Sequence, residues 1–313
     1  MNHPINTLGI TSLGTDLYIC DSDGSVWKST NGASSWFQCG STYASLRKII
    51  SIGSDLYACT WSGLTKSTDG GVNWTDLGGG AKRWEGITAL GTDLYACTSS
   101  SGIYGGIIGS IWKSIDGGAN WTNLSPGNYF WRDIVSDGTN LYACVSDSVW
   151  PSKGVYKSTN GGASWSRVSA NVSLWGIGYD GTVLYACAWG GVIYKSTNSG
   201  VTWTDTGGGT KDWTDITSIG SDLYACVWQG VTWKSIDGGA NWFDPFGIVY
   251  INISDAWKKG TPYINIGDAW KTVLKVYCAL NGNATWESIK DMTWQELINE
   301  TWDYQKQSWR TSV

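Results

Sequence analysis

Short runs of alternating apolar and polar residues fill most of the chain and are broken by Gly, Ser, Asp and Asn. In the stretch 214–246, TDITSIG, DLYACVW, VTWKSI and NWFDPF predict four strands separated by turns. The same order returns along the chain. LYIC at Leu17 is followed by LYAC at Leu56, Leu94, Leu141, Leu184 and Leu223. After each comes a nine-residue variant: KSTNGASSW (28–36), KSTDGGVNW (66–74), KSIDGGANW (113–121), KSTNGGASW (157–165), KSTNSGVTW (195–203) and KSIDGGANW (234–242). Six units spaced 38 to 47 residues apart result. One small twisted sheet cannot bury both faces without neighbours, so the period predicts an all-β, six-bladed propeller of four-stranded blades.

The nine-residue motif falls at the third turn of each unit. Its Asp or Asn (Asn31, Asp69, Asp116, Asn160, Asn198, Asp237) can accept backbone N–H groups two or three residues on. Gly supplies positive φ, and Ser adds a further hydrogen bond. Trp buries apolar surface between sheets. The pattern Ser-x-Asp/Asn-x-Gly-x-x-Trp resembles the Asp-box, or bacterial neuraminidase repeat, of sialidases, xyloglucan hydrolases, sortilin-type receptors and photosystem assembly factors. The resemblance covers about residues 10–247, with Ala33 in place of Gly in the first copy. It implies a propeller whose Asp-boxes lie on the face away from any site, as strand alternation also places them.

The opposite, upper face receives the links between blades and the second turns. Both are rich in indoles. GGGAKRW (78–84), SPGNYFW (125–131), SANVSLW (169–175) and GGGTKDW (207–213) carry Trp84, Trp131, Trp175 and Trp213. TWSG, SVWPSKG, AWGG and VWQG carry Trp61, Trp150, Trp189 and Trp228, the last beside Gln229. The first set suits either ligand contact or the gaps between blades, where Leu46 stands in another unit. Trp61, Trp189 and Trp228 stand beside Gly in tight loops with fewer packing partners. Indole faces near polar groups suit carbohydrate, whose C–H faces stack on aromatics. Trp61, Trp84, Trp131, Trp175, Trp189, Trp213, Trp228 and Gln229 are the expected ligand contacts. Lys82, Arg83, Glu85, Arg132, Asp133, Lys211, Asp212 and Asp215 are polar candidates nearby.

Composition narrows the function. A net charge of -5 with pI near 4.9 disfavours nucleic acid and anionic membranes as partners. No long apolar run predicts a membrane span, and MNHPINTLGI lacks a signal-peptide pattern. Cys20, Cys59, Cys97, Cys144, Cys187 and Cys226 hold one repeat position, too far apart for disulfides, and read as buried free thiols. Cys39 and Cys278 break that pattern, and their pairing is open.

Chemistry is sparse. His3 is the only histidine, which excludes a Ser-His-Asp triad and most His-rich metal sites. DSDG (21–24) lacks the later ligands of a calcium loop and reads as a turn. NWT at Asn73 and Asn120 lies inside Asp-boxes and is read as unglycosylated. Sialidase activity would require, by resemblance, three arginines, a Tyr–Glu nucleophile pair and an acid/base. The chain holds only Arg47, Arg83, Arg132, Arg167 and Arg310 and no Phe-Arg-Ile-Pro-like segment. A glycosidase needs two carboxyls at close range, whereas Glu85, Asp133, Asp212 and Asp215 sit on separate units. No catalytic residue, metal site or cofactor is expected.

Beyond Phe246 the pattern changes. YINISDAWK (250–258) and YINIGDAWK (263–271) predict hairpins, and TWESIKDM, TWQELINE and TWDYQKQS (285–308) predict short helical turns. These resemble short Trp-containing repeats of phage tail and other virion proteins. The expected organisation is a lead-in (1–9), a propeller (10–247), hairpin repeats (248–280) and a Trp-octad tail (281–313). The expected function is non-catalytic carbohydrate binding by a virion or tail-associated adhesion protein, made in the host cytoplasm and anchored by its C-terminal module to other virion proteins. A purely structural subunit with protein contacts only, a cytoplasmic protein, and a glycoside hydrolase are the alternatives.

Overall fold

The computed structural model describes residues 6–42, 45–80, 82–99, 109–127, 129–146, 153–168 and 172–245, with the backbone of 250–253 and 256–259. Six antiparallel sheets follow one another, each built from one continuous segment with strands in chain order. Their first strands are Thr7–Leu13, Leu46–Ile52, Trp84–Leu90, Trp131–Ser136, Leu174–Tyr179 and Trp213–Ile219. Each packs beside the next, and the last beside the first, so the sheets are blades around an axis. The protein is an all-β six-bladed propeller. The first strand spans Thr7–Leu13 and so starts inside the expected lead-in (1–9); Thr7 pairs with Asp21 across a bulge.

LYAC explains how blades stack. Successive strand residues point to opposite faces. Leu56 and Ala58 therefore pack toward blade 1, with Leu17's neighbours Tyr18 and Cys20, while Tyr57 and Cys59 pack toward Trp84 and Ile87 of blade 3. A sheet buried on both faces needs apolar residues without alternation. All six repeat cysteines are buried free thiols, and Cys39 is free as well; Cys278 lies outside the described residues.

The ring closes without a shared strand. Leu17, Ile19, Ala33 and Trp36 of blade 1 pack on Tyr224 and Cys226 of blade 6. Ser12 Oγ donates to the Ser218 carbonyl at 2.9 Å, and Thr214 Oγ1 to the Thr7 carbonyl at 3.2 Å. Fourth strands are short and exposed, as at Thr122–Asn123 and Thr204–Asp205. Blade 6 has three strands and, in the fourth place, a single bridge between Lys234 and Phe243.

The repeated turn is held by side chains. In KSIDGGANW, Ser114 Oγ donates to Asp116 Oδ1 at 2.8 Å and accepts the Gly118 N–H at 2.9 Å. Asp116 Oδ1 accepts the N–H of Asn120, four residues on rather than two or three. That bond and the Asn120 amide hold the Asp116 carboxyl at about 2. The turn also has a pairing rule. Asp69, Asp116 and Asp237 each meet an Asn amide at 2.7 Å, whereas Asn31, Asn160 and Asn198 direct their own amides to Ser35, Ser164 and Thr202. An acceptor-only carboxylate needs a donor, and an amide donor needs a hydroxyl. Asp116→Asn should therefore lower the melting temperature by a few degrees, and adding Asn120→Ser should restore it, read by thermal denaturation of the single and double variants. Asn73 and Asn120, the NWT asparagines, already spend their amides here. DSDG folds as a tight turn, Gly24 N–H to Asp21 carbonyl at 3.0 Å.

The chain divides into residues 1–246 and 247–313. In the second unit, Tyr250–Ile253 pairs antiparallel with Ala256–Lys259. The expected second hairpin and the Trp octad lie outside the described residues.

Candidate functional site

Every first strand carries a bulge near its start, as between Leu46 and Lys48, Trp131 and Asp133, or Trp213 and Asp215. A bulge re-aims the side chains around it. Two rings of residues thus gather at the upper end of the axis. The deeper ring is Gly9, Lys48, Gly86, Asp133, Gly176 and Asp215: glycine in odd blades, charge in even ones. The outer ring is Leu8, Arg47, Glu85, Arg132, Trp175 and Thr214.

In the deeper ring, Lys48 Nζ lies 2.7 Å from Asp133 Oδ2 and 2.6 Å from Asp215 Oδ1. The side chains are 7%, 1% and 1% exposed. Asp133 also accepts the Ile177 N–H of blade 5 at 3.0 Å, and Asp215 the Ile10 N–H of blade 1 at 2.8 Å, across the seam. The triad links five blades. Burial alone would lower the Lys48 pKa, but the two carboxylates outweigh it and raise it. Burial pushes the Asp133 carboxyl up and that of Asp215 to about 6 against the pull of Lys48. Glycine is required between the charges. A Cβ on Gly86 would stand 2.6 Å from Asp133 Oδ1 and 2.8 Å from its Cα. Gly86→Ala is therefore expected to destabilise by about 1–3 kcal/mol, as overpacking does, measured by denaturant unfolding.

The triad plugs the channel. Below it lies a cavity of about 300 Å³ lined by neutral residues such as Thr11, Ser51, Thr88 and Thr217. Above it only about 20 Å³ remains between Lys48, Asp133 and the outer ring.

In the outer ring, one carboxylate faces two guanidinium groups of the ring and a third, from Arg83, beside it. Arg47 Nε and Nη2 donate to Glu85 Oε2 at 3.0 and 2.8 Å. Arg83 Nε lies 2.7 Å from Oε1, Arg132 Nη1 at 3.5 Å, and Ser99 Oγ donates to Oε1 at 2.5 Å. Glu85 is 2% exposed, whereas Arg83 is 38%. Arg47 Nη1, both terminal nitrogens of Arg83 and Arg132 Nη2 donate to no described residue. Burial lowers the Arg132 pKa, Glu85 opposes this, and Arg47 and Arg83 add to it.

Indoles flank this charge. Trp61, 53% exposed, lies under Arg83 and Arg47, with ring-to-guanidinium distances of 5.0 and 6.0 Å. Arg132 stacks 4.5 Å from Trp175, which lies 4.3 Å from Trp189, itself 6.3 Å from Trp228. Gln229 follows, exposed, at φ 53°. Trp61, Trp175, Trp189, Trp228 and Gln229 thus belong to the upper face.

Trp84, Trp131 and Trp213 do not reach it. Each is completely buried between blades, against Trp121, Trp165 and Trp242 respectively, so none can touch a ligand. Their position precedes the bulge and points into the interblade core, where Leu46 and Leu174 stand in blades 2 and 5. Lys82 donates to the Gly79 carbonyl and lies over Trp84 and Trp112; Lys211 donates to Gly208 and lies over Trp213 and Trp233. Both fasten loops. Trp150 lies outside the described residues. Asp133 and Asp215 are also displaced from expectation. Equivalent positions on separate blades were expected to keep carboxylates apart, yet the axis brings them onto one ammonium group. Asp212 accepts the Gly190 N–H at 3.0 Å. Lys48 went unassigned in the sequence, while the near-equivalent repeat positions of three arginines did allow for a positive cluster. Setting the units in register at Ile10, Ile49, Ile87, Ile134, Ile177 and Ile216 would have exposed the glycine–charge alternation one residue earlier.

No family model matches the chain, and no curated protein matches it significantly. Solved structures do. A chain of a nidogen/laminin complex aligns with TM-score 0.62 and 16% identity, over 74% of this chain and 92% of that one. A GH74 xyloglucanase from Xanthomonas campestris aligns with TM-score 0.52 and 14% identity, over 77% of this chain but 46% of the enzyme. YCF48 bound to D1 peptide gives 0.51 and 15%, over 74% and 77%. At such identities the likeness is one of fold.

Proposed function

We propose that the upper face is a non-catalytic binding site for acidic carbohydrate. The observation that supports this is the exposed Trp61 indole beside guanidinium groups whose charge Glu85 only partly balances. Three positive charges face one negative, and donors remain free for an anion. Indole faces at Trp61 and along Trp175, Trp189 and Trp228 suit the C–H faces of sugar rings. Catalysis is disfavoured because Glu85 is held by three arginines and Asp133 and Asp215 by Lys48 and backbone N–H groups, which leaves neither an acid nor a nucleophile at hand. Anchorage in a virion through residues beyond 246 is proposed from the resemblance of those repeats alone.

A glycan array with matched neutral, uronic-acid and sulfated saccharides tests this reading. Binding to acidic members, weakened at least tenfold by Arg83→Gln with unchanged stability, is the expected result. A second reading has a protein carboxylate as the guest, since neighbours of this fold include a nidogen/laminin complex and a peptide-bound YCF48. A silent array together with capture of Asp- and Glu-rich peptides would replace the carbohydrate reading with that one.

A further inference from the structure

Charge on the upper face is not set by the outer ring alone. Lys48 follows Arg47 in the chain and Asp133 follows Arg132, and both pairs border the same small void. Consecutive residues of a strand keep the two rings within about 7 Å, a range over which one buried charge acts strongly. With both carboxyls ionised, the triad carries one net negative charge beneath an arginine layer whose excess is positive. One proton would neutralise it.

We infer that Lys48, Asp133 and Asp215 set the affinity of the upper face, and that a proton bound by the two carboxyls strengthens its hold on an anionic ligand. This rests on the acidic-ligand reading above. The carboxyls face Lys48 from blade 2, Glu85 from blade 3, Arg47 and Arg132 in the layer above, and the thiols of Cys20, Cys59, Cys97, Cys144, Cys187 and Cys226 on the second strands. Lysine and arginine keep their charge through neutral and mildly acid pH. Burial raises every one of the thiols, so they stay protonated and do not compete. Burial raises both carboxyls of the pair toward this range, Asp215 to about 6. The proton comes from solvent and belongs to the pair, and the ammonium group remains bound. Binding of an anion above and of a proton below are then linked, each favouring the other.

The test has two arms. In the first, aspartate carboxyl carbons of the ligand-free wild-type protein are followed by NMR between about pH 5 and pH 7.5. One proton taken up by the Asp133–Asp215 pair is expected. In the second, affinity for a sulfated saccharide, whose charge is constant over that range, is measured at both ends. Affinity should rise on the order of tenfold toward acid. Asp215→Asn should hold near the wild-type acid value at both pH values, and Asp133→Asn should do the same if the first variant does not fold. No proton uptake by the pair overturns the inference even where sugars bind. So does uptake without any pH dependence of affinity. Failure of every acidic saccharide to bind at either pH, with normal uptake, overturns the acidic-carbohydrate reading and the affinity claim with it.

Discussion

Replacing Lys48 by methionine should destabilise the propeller by about 3–5 kcal/mol at neutral pH, because it leaves two buried carboxylates without a cation. For a unit of this size that corresponds to a fall in melting temperature of roughly 6–20 °C. The ammonium group is the sole cation touching Asp133 and Asp215 among the described residues, at 2.7 and 2.6 Å. Those carboxylates also hold blades 5 and 1 through the Ile177 and Ile10 N–H groups. The sign of the pH effect follows. Burial raises both carboxyls, so the stability linked to their protonation is fully present below the ordinary Asp range and is lost as pH rises through their raised values, about 6 for Asp215. The Lys48→Met protein should recover on acidification, more steeply than wild type. The triple variant Lys48→Met, Asp133→Asn, Asp215→Asn, neutral throughout, should regain most of the loss at neutral pH. Thermal melts across pH decide the matter; a Lys48→Met protein as stable as wild type at neutral pH would remove the triad from the account of ring closure.

Tryptophans divide sharply by place. Trp131→Ala should cost about 3–5 kcal/mol and leave ligand affinity unchanged in whatever fraction folds. Its ring has no exposed surface and packs against Tyr129, Tyr156 and Trp165. Trp61→Ala should change stability by no more than about 0.5 kcal/mol, since half of its surface already faces water. It should nonetheless weaken carbohydrate binding by an order of magnitude or more, as loss of a stacking platform does. Chemical denaturation and a glycan titration on the two variants give the comparison. A Trp61→Ala protein that binds acidic saccharides normally would exclude that indole from the site.

Much of the scaffold was legible in the chain. The LYAC series, the nine-residue turns and their spacing carried blade number and strand order, because each blade makes its hydrogen bonds locally. The Asp/Asn turn was also legible, though its reach of four residues was not. Burial of Trp84, Trp131 and Trp213 was harder to see. An indole at the start of a strand looks the same whether a bulge turns it inward or not, and Trp175 occupies the neighbouring position in a unit where leucine takes the buried one.

What the sequence determined by itself is therefore the part governed by neighbours in the chain: sheet-forming segments, turn chemistry, and the choice of small apolar residues for faces covered on both sides. Tertiary structure alone decided what meets at the axis. Lys48, Asp133 and Asp215 are separated by 85 and 82 residues in the chain, yet ring closure brings equivalent positions of alternate blades into one hydrogen-bonded cluster. Arg47 and Arg132 converge on Glu85 for the same reason, whereas Arg83 reaches it from two residues earlier in the same blade. Rotation about the axis turns a repeat position into a single place, and a linear pattern holds no record of that distance until the ring is closed.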